Sequence, residues 1–387
     1  MQPARPLDAR ALARAGMEAL RTGDARAARQ LFEQIGRAGR ADAGVWLGLA
    51  LACRSLKDET AKLAAIDKAL ALEPRNLRAL IMKADHLAEV GDHRAASTFY
   101  STAVKAAPAA GRLSPEMLAE VRRAQAMQER YSAEYVAHLH RQLAARGFDP
   151  DRSSRRFAQS LELLTGKKRI YRQEPLSYYF PELPQIQFYE RRDFPWLDAI
   201  EAAAADIRAE LLEILRDGRA FIPYVEGESN RPQQDYQGLL GNVGWSAFFL
   251  CKNGEIVPEN AARCPRTMRA LEHAPLTRIA RRAPMILFSL LRPGVHIPPH
   301  TGYFNSRLIC HLPLIVPDNC RLRVGNDTRY WQQDKAWVFD DTIEHEAWNG
   351  SDKVRVLLLF DIWRPELSAE ERGLVQALFE AIAAGGG

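Results

Sequence analysis

The sequence predicts a two-domain α+β protein, an N-terminal all-α solenoid followed by an antiparallel β domain of jelly-roll type with flanking helices. Three observations point there. A chain of 387 residues with 47% hydrophobic content exceeds one compact domain and can fill more than one core. Pro74 and Pro108 stand 34 residues apart, and aligning the chain on them exposes a recurring pattern of small and large apolar residues. From Pro284 onward that texture gives way to short β-rich runs separated by turns, the spacing of an antiparallel sandwich or jelly roll.

In the first part, small residues recur where two helices must touch: Gly16, Ala50 and Ala84, then Ala69 and Ala103. Large residues hold the matching positions Leu12, Trp46 and Leu80, and Phe32, Ile66 and Tyr100. Gly23-Asp24 and Gly91-Asp92 fall where a turn separates the helices of a pair. A period of this length with this alternation resembles the tetratricopeptide repeat (TPR), in which stacked helix pairs share a continuous core. Three repeats are expected near residues 9–42, 43–76 and 77–110. The helical periodicity of Ser114 to Gly147 then caps the array. The domain division is 1–150 for the repeats and their cap, 151–180 for a linker, and 181–387 for the second domain. A repeat array commonly offers a concave surface to a peptide or protein; the alternative is a packing module without a ligand.

The linker ends in the aromatic run Tyr178-Tyr179-Phe180. Trp196 to Leu215 carries the apolar spacing of an amphipathic helix,. Strands are expected at Met285–Leu291, Arg307–Val316, Arg321–Val324, Arg329–Gln332, Ala336–Phe339 and Val354–Trp363. Ser368 followed by Glu371 is a capping box that opens a last helix through Ile382,.

Composition narrows the functional classes. The five cysteines are odd in number and never form a CxxC pair, which argues against a disulfide framework and a thiolate zinc site. A formal charge of +5, with no basic run interleaved with aromatics, gives no support for nucleic acid binding. The longest apolar runs, such as Val356 to Phe360, are far short of a membrane span. The start of the chain shows no secretion signal, so a cytoplasmic protein is expected.

Four of nine histidines crowd into residues 296–345. His300 sits in a loop, Pro298-Pro299-His300-Thr301-Gly302, between two expected strands, and His345 follows a strand and turn. Two imidazoles at adjacent strand ends can converge on one metal. Oxygen-activating iron sites add a carboxylate to two histidines and leave positions open for a keto acid and oxygen. The keto acid's far carboxylate needs a cation. Arg355, ten residues beyond His345 at the start of an apolar strand, is costly to bury unless an anion pairs with it. Ser289 is placed to donate a hydroxyl to the same carboxylate.

The stretches FSLLRPGVHIPPHTGYFNSRLICHLPLIVP, VFDDTIEHEAWN and RVLLLFDIWRPEL, with NVGWSAFFLCKNGEIVPENAARCP upstream, resemble the aspartyl/asparaginyl β-hydroxylase family over roughly residues 180–375. The resemblance implies a double-stranded β-helix (cupin-like) oxygenase using Fe(II), 2-oxoglutarate and O2. It makes His300 and His345 the iron ligands, with Arg355 and Ser289 on the distal carboxylate of 2-oxoglutarate and His311 near its metal-proximal end. Gly302 matches the family's glycine where other such oxygenases carry a third, carboxylate ligand. Arg307 and Trp245 are the candidate substrate contacts. Two departures stand out: animal members carry arginines where this chain has Ile309 and, by gapless alignment, Leu240.

The implied activity is hydroxylation of an amino-acid side chain in a peptide, protein or carrier-bound substrate presented by the repeats. Its rivals are an inactive TPR/jelly-roll scaffold, and a hydroxylase or halogenase of a small molecule or acyl chain. Several residues have bland readings beside the sharp ones. His311 is also suited to be a hydrogen-bonded core histidine, and Trp245 to be core. An exposed salt bridge is the rival role for Arg307. Asp340 and Asp341 suit backbone hydrogen bonding better than metal ligation, Glu344 or Glu346 is placed to partner His345, and His296 is structural or pocket-lining.

Overall fold

The computed structural model describes residues 8–225 and 238–385, and the chain divides into two compact units between Thr165 and Gly166. The first unit is all helix: α1 (Ala9–Arg21), α2 (Ala25–Arg37), α3 (Ala43–Ser55), α4 (Glu59–Leu72), α5 (Leu77–Glu89), α6 (His93–Ala106), α7 (Pro115–Ala144) and α8 (Arg155–Leu164). The first six form three consecutive pairs, and their boundaries are written in the caps. Asp8, Asp42 and Asn76 each accept a hydrogen bond from the backbone N–H three residues on, opening α1, α3 and α5. Asp24, Asp58 and Asp92 do the same for α2, α4 and α6. Both sets recur at the period of the repeat, each satisfying a donor that a helix start would otherwise leave orphaned.

Packing explains the small residues. The Phe32 ring lies against the backbones of α1 and α3. A Cβ built on Gly16 would fall 2.7 Å from it, and one on Gly48 2.5 Å. Ala50, Ala69, Ala84 and Ala103 are fully buried in the same interhelical seams, with Ile66 and Tyr100 filling the space between.

The segment expected as a linker is not uniform. Its first part forms α8, while residues 171–190 run along the β domain, bridging Gln173 to Ile343, Tyr178 to Phe304 and Phe188 to Phe339. The helix expected from Trp196 to Leu215 breaks at Ala203 into α9 (Leu197–Ala202) and α10 (Ala204–Arg216).

The strands are β1 (Ile222–Pro223), β2 (Trp245–Lys252), β3 (Glu255–Ile256), β4 (Ile286–Leu291), β5 (His296–His300), β6 (Arg307–Ile315), β7 (Cys320–Val324), β8 (Asp327–Tyr330), β9 (Trp337–Phe339), β10 (His345–Asn349) and β11 (Arg355–Trp363). Short helices α11 (Pro258–Ala262) and α12 (Pro265–Leu271) follow β3, and α13 (Ala369–Gly385) closes the described chain. Two antiparallel sheets result. The larger runs β1-β2-β4-β11-β6-β9, with β3 on the edge of β2, and the smaller runs β5-β10-β7-β8. One face of the larger sheet packs on α9, α10 and α12 through Phe248, Phe288, Leu312, Leu358 and Phe360. Its other face shares a core with the smaller sheet, made by Trp245, Leu291, Ile309, Leu322, Phe339 and Leu357.

Because the central strands are buried on both faces, β4 and β11 read as continuous apolar runs, whereas half-exposed β7 alternates,. The strand expected at Arg329–Gln332 is shifted to Asp327–Tyr330, where it pairs Asp327 with Val324 through a tight turn. His300 is not in a loop: it ends β5, whose two prolines disguise it as a turn.

Candidate active site

The site forms where the two sheets face each other. Antiparallel pairing of β5 with β10 sets His300 directly opposite His345, bringing the ring centroids to 4.1 Å. The Nδ1 of His300 faces the Pro298 carbonyl at 2.8 Å, and the Nδ1 of His345 faces the Ile343 carbonyl at 3.2 Å. A carbonyl oxygen only accepts, so in both rings Nδ1 carries the proton and Nε2 keeps its lone pair. Burial holds both imidazoles below their usual pKa, His345 the more strongly because His300 adds to the effect. The two rings are thus neutral, with matched orientation, as ligating imidazoles must be.

Gly302 lies two residues beyond His300. Its N–H donates to the Asp341 carbonyl at 2.7 Å, and a Cβ there would overlap the Asp341 carboxylate. Only glycine leaves room for that carboxylate. Asp341 does not bond backbone with its side chain, as expected, but accepts from Arg307 Nη2 at 3.0 Å. Arg307 Nη1 lies 3.4 Å from Asp361 Oδ1, and all three side chains are buried. The exposed salt bridge weighed for Arg307 is therefore a buried triad. Asp340 does bond backbone, taking the Thr342 N–H at 3.0 Å, and its other oxygen accepts from Arg364 and Gln173.

Across the larger sheet, Arg355 opens β11 with only 2% of its surface exposed. Its guanidinium stacks on Trp331 at 4.9 Å and reaches the Ser289 carbonyl at 3.4 Å, while Nε has no hydrogen-bond partner. No carboxylate pairs with Arg355 among the described residues, and burial pushes its pKa down to about 10. Ser289 is two strand positions from the register partner of Arg355 on β4 and accepts from the Trp245 indole N–H at 3.3 Å. His311 on β6 is also buried with Nδ1 unpartnered, and burial together with Arg355 keeps it well below its usual pKa. Phe339 separates it from His345, at 4.8 Å from His311 and 5.7 Å from His345. Trp245 lies 6.2 Å from His300 and stacks on Tyr224.

These orphaned groups define what the site fits. Two neutral imidazoles with free Nε2 lone pairs suit a divalent metal. A buried guanidinium with no anion among the described residues, beside Ser289 and the unpartnered imidazole of His311, suits a carboxylate,. The expected second partner of His345 is absent: Glu344 and Glu346 face outward to Arg323, and Glu346 also takes His296 Nε2 at 2.8 Å. His296 stacks flat on Trp348 on that outer face. Sequence reasoning missed Asp361, Trp331 and Arg364. Asp361 and Arg364 sit inside the apolar run that closes the domain, where a charged residue is itself the signal.

Residues 201–365 match the family described as aspartyl/asparaginyl beta-hydroxylase. The ornithine lipid ester-linked acyl 2-hydroxylase of Rhizobium tropici is 36% identical over 195 residues, covering 50% of this chain and 66% of that protein. The human aspartyl/asparaginyl beta-hydroxylase is 36% identical over 175 residues, 44% of this chain and 21% of that one. The chain thus spans just under two thirds of the first relative and about a fifth of the second. Among solved structures, the first TPR domain of human RPAP3 aligns with 32% of this chain and 95% of its own, at 16% identity and a TM-score of 0.27. The histidine pair, Arg355 and the buried triad all lie inside the segment, residues 201–365, that matches the aspartyl/asparaginyl β-hydroxylase family.

Proposed function

We propose that the chain is an Fe(II)- and 2-oxoglutarate-dependent hydroxylase that acts on an aliphatic carbon, of the kind found in an amino-acid side chain of a peptide, protein or carrier-bound substrate. The observation that carries this reading is Arg355, a buried guanidinium with no anion among the described residues, in the same β domain as two neutral, preoriented imidazoles. A cation left unpaired in a dry site costs folding energy that a bound carboxylate recovers.

The two sheets read as a double-stranded β-helix. The chemistry that iron and 2-oxoglutarate supply when bound is oxidative decarboxylation, one oxygen atom of O2 entering succinate and the other the substrate's C–H bond. The protein's share is placement. His300 and His345 hold the metal through Nε2, their Nδ1 protons fixed on carbonyls of their own strand ends. Arg355, held flat by Trp331, and Ser289 take the distal carboxylate. His311 stands beside the keto-acid's inner end, and Trp245 with Phe339 excludes water from the pair. The helical unit of residues 8–165 recruits the partner that bears the substrate. No helix among the described residues is long and apolar enough to cross a membrane.

Anaerobic Fe(II) and 2-oxoglutarate should produce the weak visible band of a chelated keto acid. His300→Ala should abolish it, and Arg355→Ala should demand far more 2-oxoglutarate to reach it. Absence of the band from the wild type, or its persistence unchanged in His300→Ala, counts decisively against the reading.

A further inference from the structure

Charge accounting around the histidine pair points to the substrate's chemical class, on the hydroxylase reading above. Among the described residues, two buried guanidiniums stand on the face of the larger sheet that shares a core with the smaller one: Arg355, which serves the keto acid, and Arg307. The second is already ion-paired, although its Nη1 makes no hydrogen bond. It donates to Asp341 at 3.0 Å and lies 3.4 Å from Asp361. Two carboxylates thus stand against one guanidinium, all three side chains at most 8% exposed. Burial lifts both acids, Asp341 to about 6, as expected where acids outnumber the cation in a dry site. A substrate carboxylate placed here would meet a compensated cation and two like charges. In a medium of low dielectric that is unfavourable rather than neutral.

Apart from Ser289 and His311, the rest of this face is apolar. Ile309 lies between Arg307 and His311 on one face of β6,, with Phe339 and Asp361 as its register partners. Trp245, Leu357 and the partly buried Leu359 and Tyr224 join it in one cluster. We propose that the group presented to His300 and His345 is an uncharged aliphatic chain and not an ionised carboxylate, because Arg307 is neutralised by Asp341 and Asp361 and the wall beside the histidines is apolar. Ile309 is the position that sets this preference. An arginine there would add the free cation that this wall lacks.

The test uses the full chain loaded anaerobically with Fe(II) and 2-oxoglutarate. Three probes are titrated where aspartate is ionised: N-acetyl-aspartate methylamide, its uncharged isostere N-acetyl-leucine methylamide, and N-octanoylglycinamide. Binding is read from the perturbed visible band and by calorimetry. At least one uncharged probe should bind about tenfold or more tightly than the aspartate probe, a difference of about 1.4 kcal/mol. Preference for the leucine probe points to a side chain, and preference for the octanoyl probe to an acyl chain. Ile309→Arg should reverse the order, raising aspartate-probe affinity about tenfold. The wild-type comparison carries the test even where that variant fails to fold. Equal or tighter binding of the aspartate probe to the wild type, or binding of none of the three, overturns the proposal. Loss of the keto-acid band itself sinks the hydroxylase reading instead, so the two failures are distinguishable.

Discussion

His300 and His345 are direct register partners across β5 and β10, and each ring donates its Nδ1 proton to the carbonyl two residues before it. The same local geometry, used twice, aims both Nε2 atoms without help from any other side chain. On the proposed reading these are the two protein donors to the metal, and neither is dispensable. His300→Ala and His345→Ala should each weaken Mn(II) or Fe(II) binding by at least about 100-fold, more than loss of an outer partner usually costs. Equilibrium dialysis measures this directly, and a single variant that retains metal at near wild-type affinity would show that the pair is not the ligand set.

Arg355 should behave as a liability until its ligand arrives. Its guanidinium is buried with no anion among the described residues, so Arg355→Met, of similar length and apolar, is expected to leave the ligand-free protein as stable or more stable. The metal-loaded wild type should gain about 2.7 kcal/mol at 2-oxoglutarate concentrations near 100 Kd, and the variant should gain almost nothing. Thermal melts with and without the keto acid decide it. Marked destabilisation of the ligand-free variant would mean that Arg355 has a structural partner instead.

Much of this was legible in the sequence because it rests on local rules. The helix pairs announce themselves through residues that must be small, and the capping aspartates repeat with them. Arg355 stood out because a charge inside an apolar strand demands an explanation. What stayed hidden depends on pairing across distance. β5 was masked by Pro298 and Pro299, which lie on an edge strand where a missing N–H costs nothing,. The union of Arg307, Asp341 and Asp361 joins three parts of the chain, so no local pattern distinguishes it from an exposed salt bridge. Glu346 looked like a partner for its neighbour His345, but strand alternation turns the two to opposite faces,.

Gly302 is held to glycine by space. A Cβ there would overlap the Asp341 carboxylate, which is ion-paired to Arg307 and whose own main-chain carbonyl takes the Gly302 N–H, so it has little freedom to yield. Gly302→Ala should cost about 1–3 kcal/mol, the usual range for overpacking. Removing the obstacle should recover part of it: Gly302→Ala with Asp341→Ala should be more stable than the two separate costs add up to. Strict additivity in urea unfolding would show that the two side chains do not compete for this space.

In the helical unit the tightest constraint is Phe32 against Gly48, where a Cβ would come within 2.5 Å of the ring. Gly48→Ala improves helix propensity by about 1 kcal/mol, so simple propensity predicts stabilisation. The contact predicts the opposite, a net loss of about 1–2 kcal/mol, with Phe32→Leu restoring tolerance of the alanine. Circular dichroism melts of the two single variants and the double variant separate these expectations.

Asp341 supplies a pH signature with a definite sign. Burial, opposed by Arg307, raises its carboxyl from the ordinary 3.8 to about 6. The folded protein therefore holds this proton more tightly than the unfolded chain. The group's contribution to stability is fully present below about 3.8 and is lost as pH rises through about 6. Asp341→Asn keeps the shape of the protonated acid and removes its titration. The stability of the variant relative to wild type should accordingly climb with pH between about 4 and 6.5, by on the order of 3 kcal/mol in all, and level off above. The slope is diagnostic rather than the offset, because the amide changes the bond to Arg307 at every pH. A flat difference across that window would mean that Asp341 titrates normally, and that Arg307 neutralises it fully in the folded state.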